Sequence, residues 1–162
     1  MLTRPIPSSE VGSRAAFEGF YRREYRRVYQ LAWLLTRSNE LAEDVTQEAF
    51  LGTYRAFDRL KTPEAYVRTA VVNQTRMAVR RRFGREKRAA LLQAPAATDL
   101  AVSELTDILT RLPYRQRVAV VGRYWFGWSE HEIAEMLQCR PGTVKSLSSR
   151  GLQRIRKELG EP

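Results

Sequence analysis

The chain has 162 residues, with 28 Lys and Arg against 18 Asp and Glu, a formal net charge of +10, one cysteine and one histidine. That length suits one medium domain or two small ones, and a hydrophobic share of 43% supports real cores, which argues against a wholly disordered chain. The lone Cys139 and lone His131 exclude an intrachain disulfide framework and a Cys/His zinc set. No apolar run approaches the roughly 20 residues that cross a bilayer, and the start MLTRPIPSSEV has no hydrophobic signal core. The expectation is a cytoplasmic protein without metal, cofactor or membrane insertion.

The basic residues are almost all arginine, 24 Arg to 4 Lys. A guanidinium fork suits phosphate and base edges, so the excess favours a polyanionic partner such as nucleic acid. A GC-rich genome would enrich arginine as well. Residues 1–90 hold 18 basic and 10 acidic residues, net +8; residues 91–162 hold 10 and 8, net +2. Between them AALLQAPAATDLAVSE, at 89–104, is rich in alanine, interrupted by Pro95 and nearly free of basic residues. Its middle reads as a flexible tether, with a helix extension kinked at Pro95 as the alternative. The predicted organisation is a tail over 1–14, a helical domain over 15–88, a linker over 89–103 and a second helical domain over 104–162.

Phe17, Phe20, Tyr21, Val28, Leu31, Ala32 and Leu35 fall at helical spacing and predict an amphipathic helix over about 15–36. Ser38 or Asn39 can cap the next, about 40–57. Thr62-Pro63-Glu64 combines a cap, a proline at the first helical position and an acid in the first turn, which starts a helix over about 63–82 with Gly84 as its stop. The second half predicts helices over about 101–111, 114–125, 129–138 and 141–158, with Ser129 and Glu132 forming a capping box and Pro113 and Pro141 at helix starts. Nothing alternates like a strand for more than a few residues. The fold class is all-α: two small helical domains joined by a flexible linker.

The two helices around Gln138-Cys139-Arg140 predict a helix-turn-helix. On a wheel at 100° per residue, Val144, Ser148, Leu152, Ile155 and Leu159 share the core side, while Lys145, Ser146, Ser149, Arg150 and Gln153 lie opposite. Between 140 and 157 there are six basic residues and no acid. A helix N-terminus also offers unbonded N–H groups to a phosphate, so the helix suits insertion into a DNA major groove. Thr143 and Lys145 can hold phosphates and Ser146, Ser149 and Arg150 can face bases; an ordinary helix with a solvated basic side is the alternative.

The segment LPYRQRVAVVGRYWFGWSEHEIAEMLQCRPGTVKSLSSRGLQRIRKEL, residues 112–159, resembles the promoter-reading fourth domain of bacterial sigma factors of the small extracytoplasmic-function (ECF) type. FEGFYRREYRRVYQLAWLLTRSNELAEDVTQEAFLGTYRAF, residues 17–57, resembles the family's second domain, with AEDVTQEAF its most specific piece. PEAYVRTAVVNQTRMAVRRR, residues 63–82, resembles the stretch that handles the melted promoter. The sequence departs from the family's pattern at Leu147, where an arginine is usual, at Arg140, where a small hydroxyl cap is usual, and at Tyr66, where a tryptophan is common. These departures bear on which promoter is read.

The resemblance implies promoter recognition and transcription initiation, with core RNA polymerase and promoter DNA, double- and single-stranded, as partners. Asp44, Gln47, Glu48 and Leu51 are spaced i, i+3, i+4, i+7 on one helix face, and Glu40, Glu43, Asp44 and Glu48 make an acidic patch in a basic domain. Such a patch suits a basic protein partner, with favourable placement in a helix dipole as the plainer explanation. By resemblance that partner is the clamp coiled coil of the polymerase β′ subunit, and the fourth domain meets the β flap. For the melted element, named minus-10, the implied residues are Lys61, Tyr66, Asn73, Arg76, Arg80, Arg81 and Arg82, extended by Arg85, Lys87 and Arg88, with Asn73 and the loop 57–66 meeting a flipped base. Phe57 and Tyr66 individually read more readily as core. For the upstream duplex element, named minus-35, they are Arg140, Thr143, Lys145, Ser146, Ser149 and Arg150. Val118, Val121, Tyr124, Ile133, Met136, Leu137 and Val144, with Trp125, Phe126 and Trp128, are expected to form the core behind them. Arg115, Arg117 and Arg123 read equally as phosphate contacts or surface charge, Cys139 as a buried thiol and His131 as a surface residue. An anti-sigma protein is a partner that the family commonly has and this sequence neither requires nor excludes. The chain shows no Gly-rich phosphate loop, metal set or nucleophile beside a base, so no enzyme is expected. The rival reading is a helix-turn-helix regulator that does not serve polymerase.

Overall fold

The computed structural model describes residues 8–89 and 104–161, with side chains at 12–82, 84–85 and 104–161. The helices are α1 (Ser8–Thr36), α2 (Asn39–Ala56), α3 (Pro63–Ala89), α4 (Glu104–Arg111), α5 (Tyr114–Tyr124), α6 (Glu130–Leu137) and α7 (Pro141–Glu158), with one 3-10 turn at Phe57–Arg59. Among the described residues there is no strand. All of the predicted linker but Ala89, and residues 1–7 of the predicted tail, lie outside the described residues.

Local signals set most of the boundaries. Ser38 is the cap of α2, its hydroxyl accepting from the Leu41 N–H at 3.3 Å. Pro63 opens α3 as expected. Two expectations are corrected. Helix α1 begins at Ser8 rather than near residue 15. Helix α3 runs through Gly84 to Ala89. A glycine inside a helix costs only about 1 kcal/mol, and it stops one by turning left-handed, which Gly84 does not.

Helices α1, α2 and α3 pack together around Phe20, Val28, Leu31, Leu35, Ala42, Ala49, Phe50, Val67 and Val71, all buried. In the C-terminal unit α5, α6 and α7 pack mutually, with α4 against α7, around Leu109, Val118, Val121, Ile133 and Val144. The approach of α7 to α5 depends on Gly151, where an added Cβ would stand 2.6 Å from a Val120 methyl.

The core behind the helix-turn-helix differs from expectation at its edge. Trp128 is buried and Phe126 stacks on it at 4.9 Å, but Tyr124 and Trp125 are 52% and 39% exposed. Both fall at the end of α5, where the chain turns away. Leu152 is half-buried and Leu159 is 40% exposed, because the last turn of α7 outruns the bundle.

The two units touch. Helix α1 packs against α4 and α5, and α3 against α6. Arg117, read from sequence as a phosphate contact or surface charge, is buried at this seam and fulfils neither expectation. It lies on the same face of α5 as Val121, so it is carried inward with the core positions.

Candidate nucleic-acid and protein interfaces

On α2, Ala42, Val45, Ala49 and Phe50 turn inward, and Asp44, Gln47, Glu48 and Leu51 are all exposed on the opposite side. The structure gathers these four into one ridge between two grooves. Asp44 and Glu48 edge a groove of about 750 Å³ between α2 and α3, whose far wall carries Arg81, Arg82 and Arg85. Gln47 and Leu51 edge a second groove of about 560 Å³ formed with Phe17, Tyr21, Phe50 and Tyr54. Tyr21 and Tyr54 are 37% and 50% exposed, and Phe17 meets Tyr54 edge-on at 4.9 Å. Sequence reading missed this aromatic shelf. Tyr54 follows Leu51 by three positions on the same helix face, which is the spacing that would have found it.

On α3, Asn73, Arg76 and Arg80 are exposed and share one stripe, with exposed Tyr66 at its N-terminal end and Lys61 in the preceding loop. Arg81 and Arg82 are exposed but belong to the groove facing α2, and Arg82 donates to the Thr36 carbonyl at 3.4 Å. The structure therefore divides the expected minus-10 set between two faces. The side chains of Lys87 and Arg88 lie outside the described residues. Phe57 is half-buried against Phe17 and Phe20, at 5.3 and 5.6 Å, so its core reading holds. Tyr66 is 41% exposed, against the core reading.

The helix-turn-helix forms as expected. Helix α6 carries a complete capping box: the Glu132 N–H donates to the Ser129 hydroxyl at 3.1 Å and the Ser129 N–H to the Glu132 carboxylate at 2.8 Å. Gln138 ends it in the left-handed region, φ 51°, so a non-glycine residue makes the turn. Arg140 is the α7 cap without a side-chain bond, as its departure from a small hydroxyl implied, and Pro141 follows at the helix start. Arg140, Thr143, Lys145, Ser146, Ser149 and Arg150 are all exposed, while Val144, Ser148, Gly151 and Ile155 are buried behind them. Leu147 is half-buried against the core. Cys139 is half-buried and His131 exposed. Arg115 is exposed and reaches the Leu137 carbonyl at 3.4 Å; exposed Arg123 pairs with Glu130 at 2.5 Å.

The Ser129 backbone N–H, chiefly, holds the Glu132 carboxyl below its ordinary range. A carboxyl depressed in the fold adds stability above its unfolded value and loses it as pH falls through the lower folded one. Thermal stability should therefore fall with acidification across that interval, and Glu132→Gln should flatten the slope. Ser129→Ala should cost about 1 kcal/mol near neutrality. An unchanged melting temperature in Ser129→Ala would contradict the cap.

These surfaces define a helical protein with a basic helix-turn-helix unit and a second unit that pairs a basic helix with an acidic ridge. The sigma-70 region 2 model matches residues 20–83, and the sigma-70 region 4 model matches residues 103–155. The chain is 33% identical to the ECF RNA polymerase sigma factor SigM of Mycobacterium tuberculosis over 156 residues, covering 92% of this chain and 80% of that one. It is 30% identical to the RNA polymerase sigma factor CarQ of Myxococcus xanthus over 161 residues, covering 93% and 92%. Its fold matches the sigma factor RpoE of Bartonella quintana, solved in complex with the anti-sigma factor NepR, with TM-score 0.75 at 20% identity over 90% of this chain and 97% of that one. It also matches CnrH, solved with the cytosolic domain of CnrY, with TM-score 0.66 at 19% identity over 91% and 89%. The chain belongs to the sigma-70 family, among its ECF RNA polymerase sigma factors. A regulator with only the helix-turn-helix would leave the region 2 match unexplained. Among the described residues no helix is long and apolar enough to cross a membrane.

Proposed function

We propose that this ECF sigma factor works by holding core RNA polymerase on the α2 ridge while reading promoter DNA with α3 and α7. The observation that carries this division is the placement of charge. Asp44 and Glu48 stand with Gln47 and Leu51 on the exposed face of α2, and α7 is basic from Arg140 to Lys157 with no acid. An acidic ridge repels a phosphate backbone and attracts a basic protein surface. The polymerase partner is the β′ clamp coiled coil at Asp44, Gln47, Glu48 and Leu51, with the β flap meeting the C-terminal unit.

Lys61, Tyr66, Asn73, Arg76 and Arg80 follow the melted minus-10 strand, the arginines on phosphates and the Tyr66 ring and Asn73 amide on an extruded base. Arg81 and Arg82 contribute at the rim, beside the clamp. At minus-35, Ser146, Ser149 and Arg150 face base edges, and Arg140, Thr143 and Lys145 hold flanking phosphates. The functional domains are residues 15–88 and 104–162, the linker 89–103 letting them part. The protein acts in the cytoplasm, forms no covalent intermediate and catalyses no reaction itself; an anti-sigma protein that covers the α2 ridge would silence it.

The experiment is co-elution. The purified chain, mixed with core polymerase, should leave a sizing column as a stoichiometric complex that retains labelled promoter DNA. Separate elution of the two at micromolar concentration would overturn the proposal.

A further inference from the structure

We infer that the outer face of α1 carries a site for a single nucleotide, with the base against Tyr29 and Trp33 and the phosphate on Arg26. This goes beyond the sigma mechanism proposed above and does not rest on it.

The run RREYRR, residues 22–27, sets four arginines within two turns of α1, and all four are exposed. Glu24, the acid of that run, turns the other way, with one carboxylate oxygen buried. Arg22 pairs with Glu18 at 2.7 Å, and Arg26 has no carboxylate partner among the described residues. Arg22, Arg26, Gln30 and Trp33 are spaced i, i+4, i+8, i+11, so they share one face. Phe20, Val28, Leu31 and Leu35 are buried on the opposite side. The outer face belongs to neither the α2 ridge, the α3 stripe nor the α7 reader.

Toward the end of that face Arg26, Tyr29, Gln30, Trp33 and Asn39 line a notch of about 240 Å³. Its main wall is fixed in place. The Trp33 indole N–H donates to Asn39 Oδ1 at 2.9 Å, and the Arg37 guanidinium lies 3.9 Å from the indole centroid. Arg37 is left-handed, φ 53°, a conformation that a non-glycine residue seldom adopts, and its backbone N–H donates to the Trp33 carbonyl at 2.7 Å. The turn thus folds the arginine back over the ring. An indole N–H only donates, so Asn39 gives its Oδ1 to Trp33 and keeps its amide N–H groups for a ligand.

The lining selects the ligand. Aromatic walls take a flat ring by stacking, and carboxamides such as those of Gln30 and Asn39 match the donors and acceptors of a base edge. An exposed guanidinium beside them takes the phosphate. The notch is smaller than the roughly 300 Å³ at which drug-sized pockets begin, so it suits one base and nothing larger. An acidic peptide would use the arginines and leave the rings and amides idle. A membrane surface would need exposed apolar side chains; on α1 the large one exposed is Tyr21, which lines the groove with α2 instead.

The test is nuclear magnetic resonance of the isotope-labelled full chain. Its three tryptophans give three indole N–H signals, and Trp33→Phe identifies the one from the notch. Deoxynucleoside monophosphates should move the Trp33 signal and leave those of Trp125 and Trp128 in place, with half-saturation at about 1 mM or below. Arg26→Ala and Gln30→Ala, both at exposed positions that leave the fold intact, should each raise that concentration about fivefold. A Trp33 signal that no nucleotide moves at ten times that concentration would overturn the site. Inorganic phosphate moving it as far as a nucleotide would overturn it too, since an anion contact needs no base. So would phosphatidylglycerol vesicles that broaden it while nucleotides leave it unmoved. Length then separates the two sources of nucleotide, in an Arg76→Ala, Arg80→Ala background that disables the α3 stripe. A deoxypentanucleotide binding at least tenfold tighter than a monophosphate assigns the site to a DNA strand, and equal affinity assigns it to a free nucleotide; both results support the site.

Discussion

Asp44→Arg combined with Gln47→Ala should abolish capture of core RNA polymerase, by at least a hundredfold in affinity, and leave the helices intact. Both side chains are exposed on the outer face of α2, so neither substitution opens a cavity or buries a charge. Stability should stay within about 0.5 kcal/mol of wild type, the usual range for such surface changes. The binding effect is large because the change does two things at once. It removes an attractive carboxylate from the ridge, and it sets a cation against a basic partner, where like charges in contact cost several kcal/mol. Circular dichroism and a melting curve establish that the variant is folded, and co-elution reads the loss. Glu135→Arg, on exposed α6 and away from the ridge, is the matched charge control and should bind as wild type. If the ridge variant still co-eluted with polymerase at wild-type affinity, the clamp assignment would be wrong.

Arg150→Ala should cut promoter-directed transcription roughly 5- to 150-fold, the span of about 1–3 kcal/mol carried by one good base contact. Arg150 is exposed on the same side of α7 as Ser146 and Ser149, while Val144 and Ile155 anchor the helix from behind. Removal of its side chain beyond Cβ therefore leaves the packing of α7 unchanged. A base-reading arginine and a phosphate-holding one are told apart by sequence dependence. If Arg150 reads a base, the variant should lose discrimination at one upstream position; Lys145→Ala, lost from a phosphate, should weaken all sequences alike and lower the salt slope by about 1. An upstream footprint and base preference identical to wild type would show that another part of the chain reads the duplex.

Local chemistry makes much of this fold legible in the sequence. Thr62-Pro63-Glu64 starts α3, Ser129 and Glu132 cap α6, and Pro141 opens α7, because each of these signals acts within one turn. The spacing of Phe20, Val28, Leu31 and Leu35 likewise identifies the buried side of α1. What escaped the sequence was set by partners far along the chain. Leu35 and Arg117 are 82 residues apart, and no periodicity links a carbonyl to a guanidinium at that distance. Arg81 and Arg82 look continuous with Arg80, yet a helix rotates 100° per residue and carries them round to the α2 groove. Tyr124 and Trp125 read as core by their chemistry and are left exposed by where α5 ends. Tyr66 repeats that outcome: a ring that reads as core stands exposed at the N-terminal end of the α3 stripe.

A reconstituted run-off assay tests sigma function most directly. Core polymerase with the purified chain, on pooled genomic fragments, should yield transcripts with a small set of discrete 5′ ends, preceded by a shared pair of upstream sequence elements; the core enzyme alone should yield none of them. The same distribution of 5′ ends with and without the chain would contradict it.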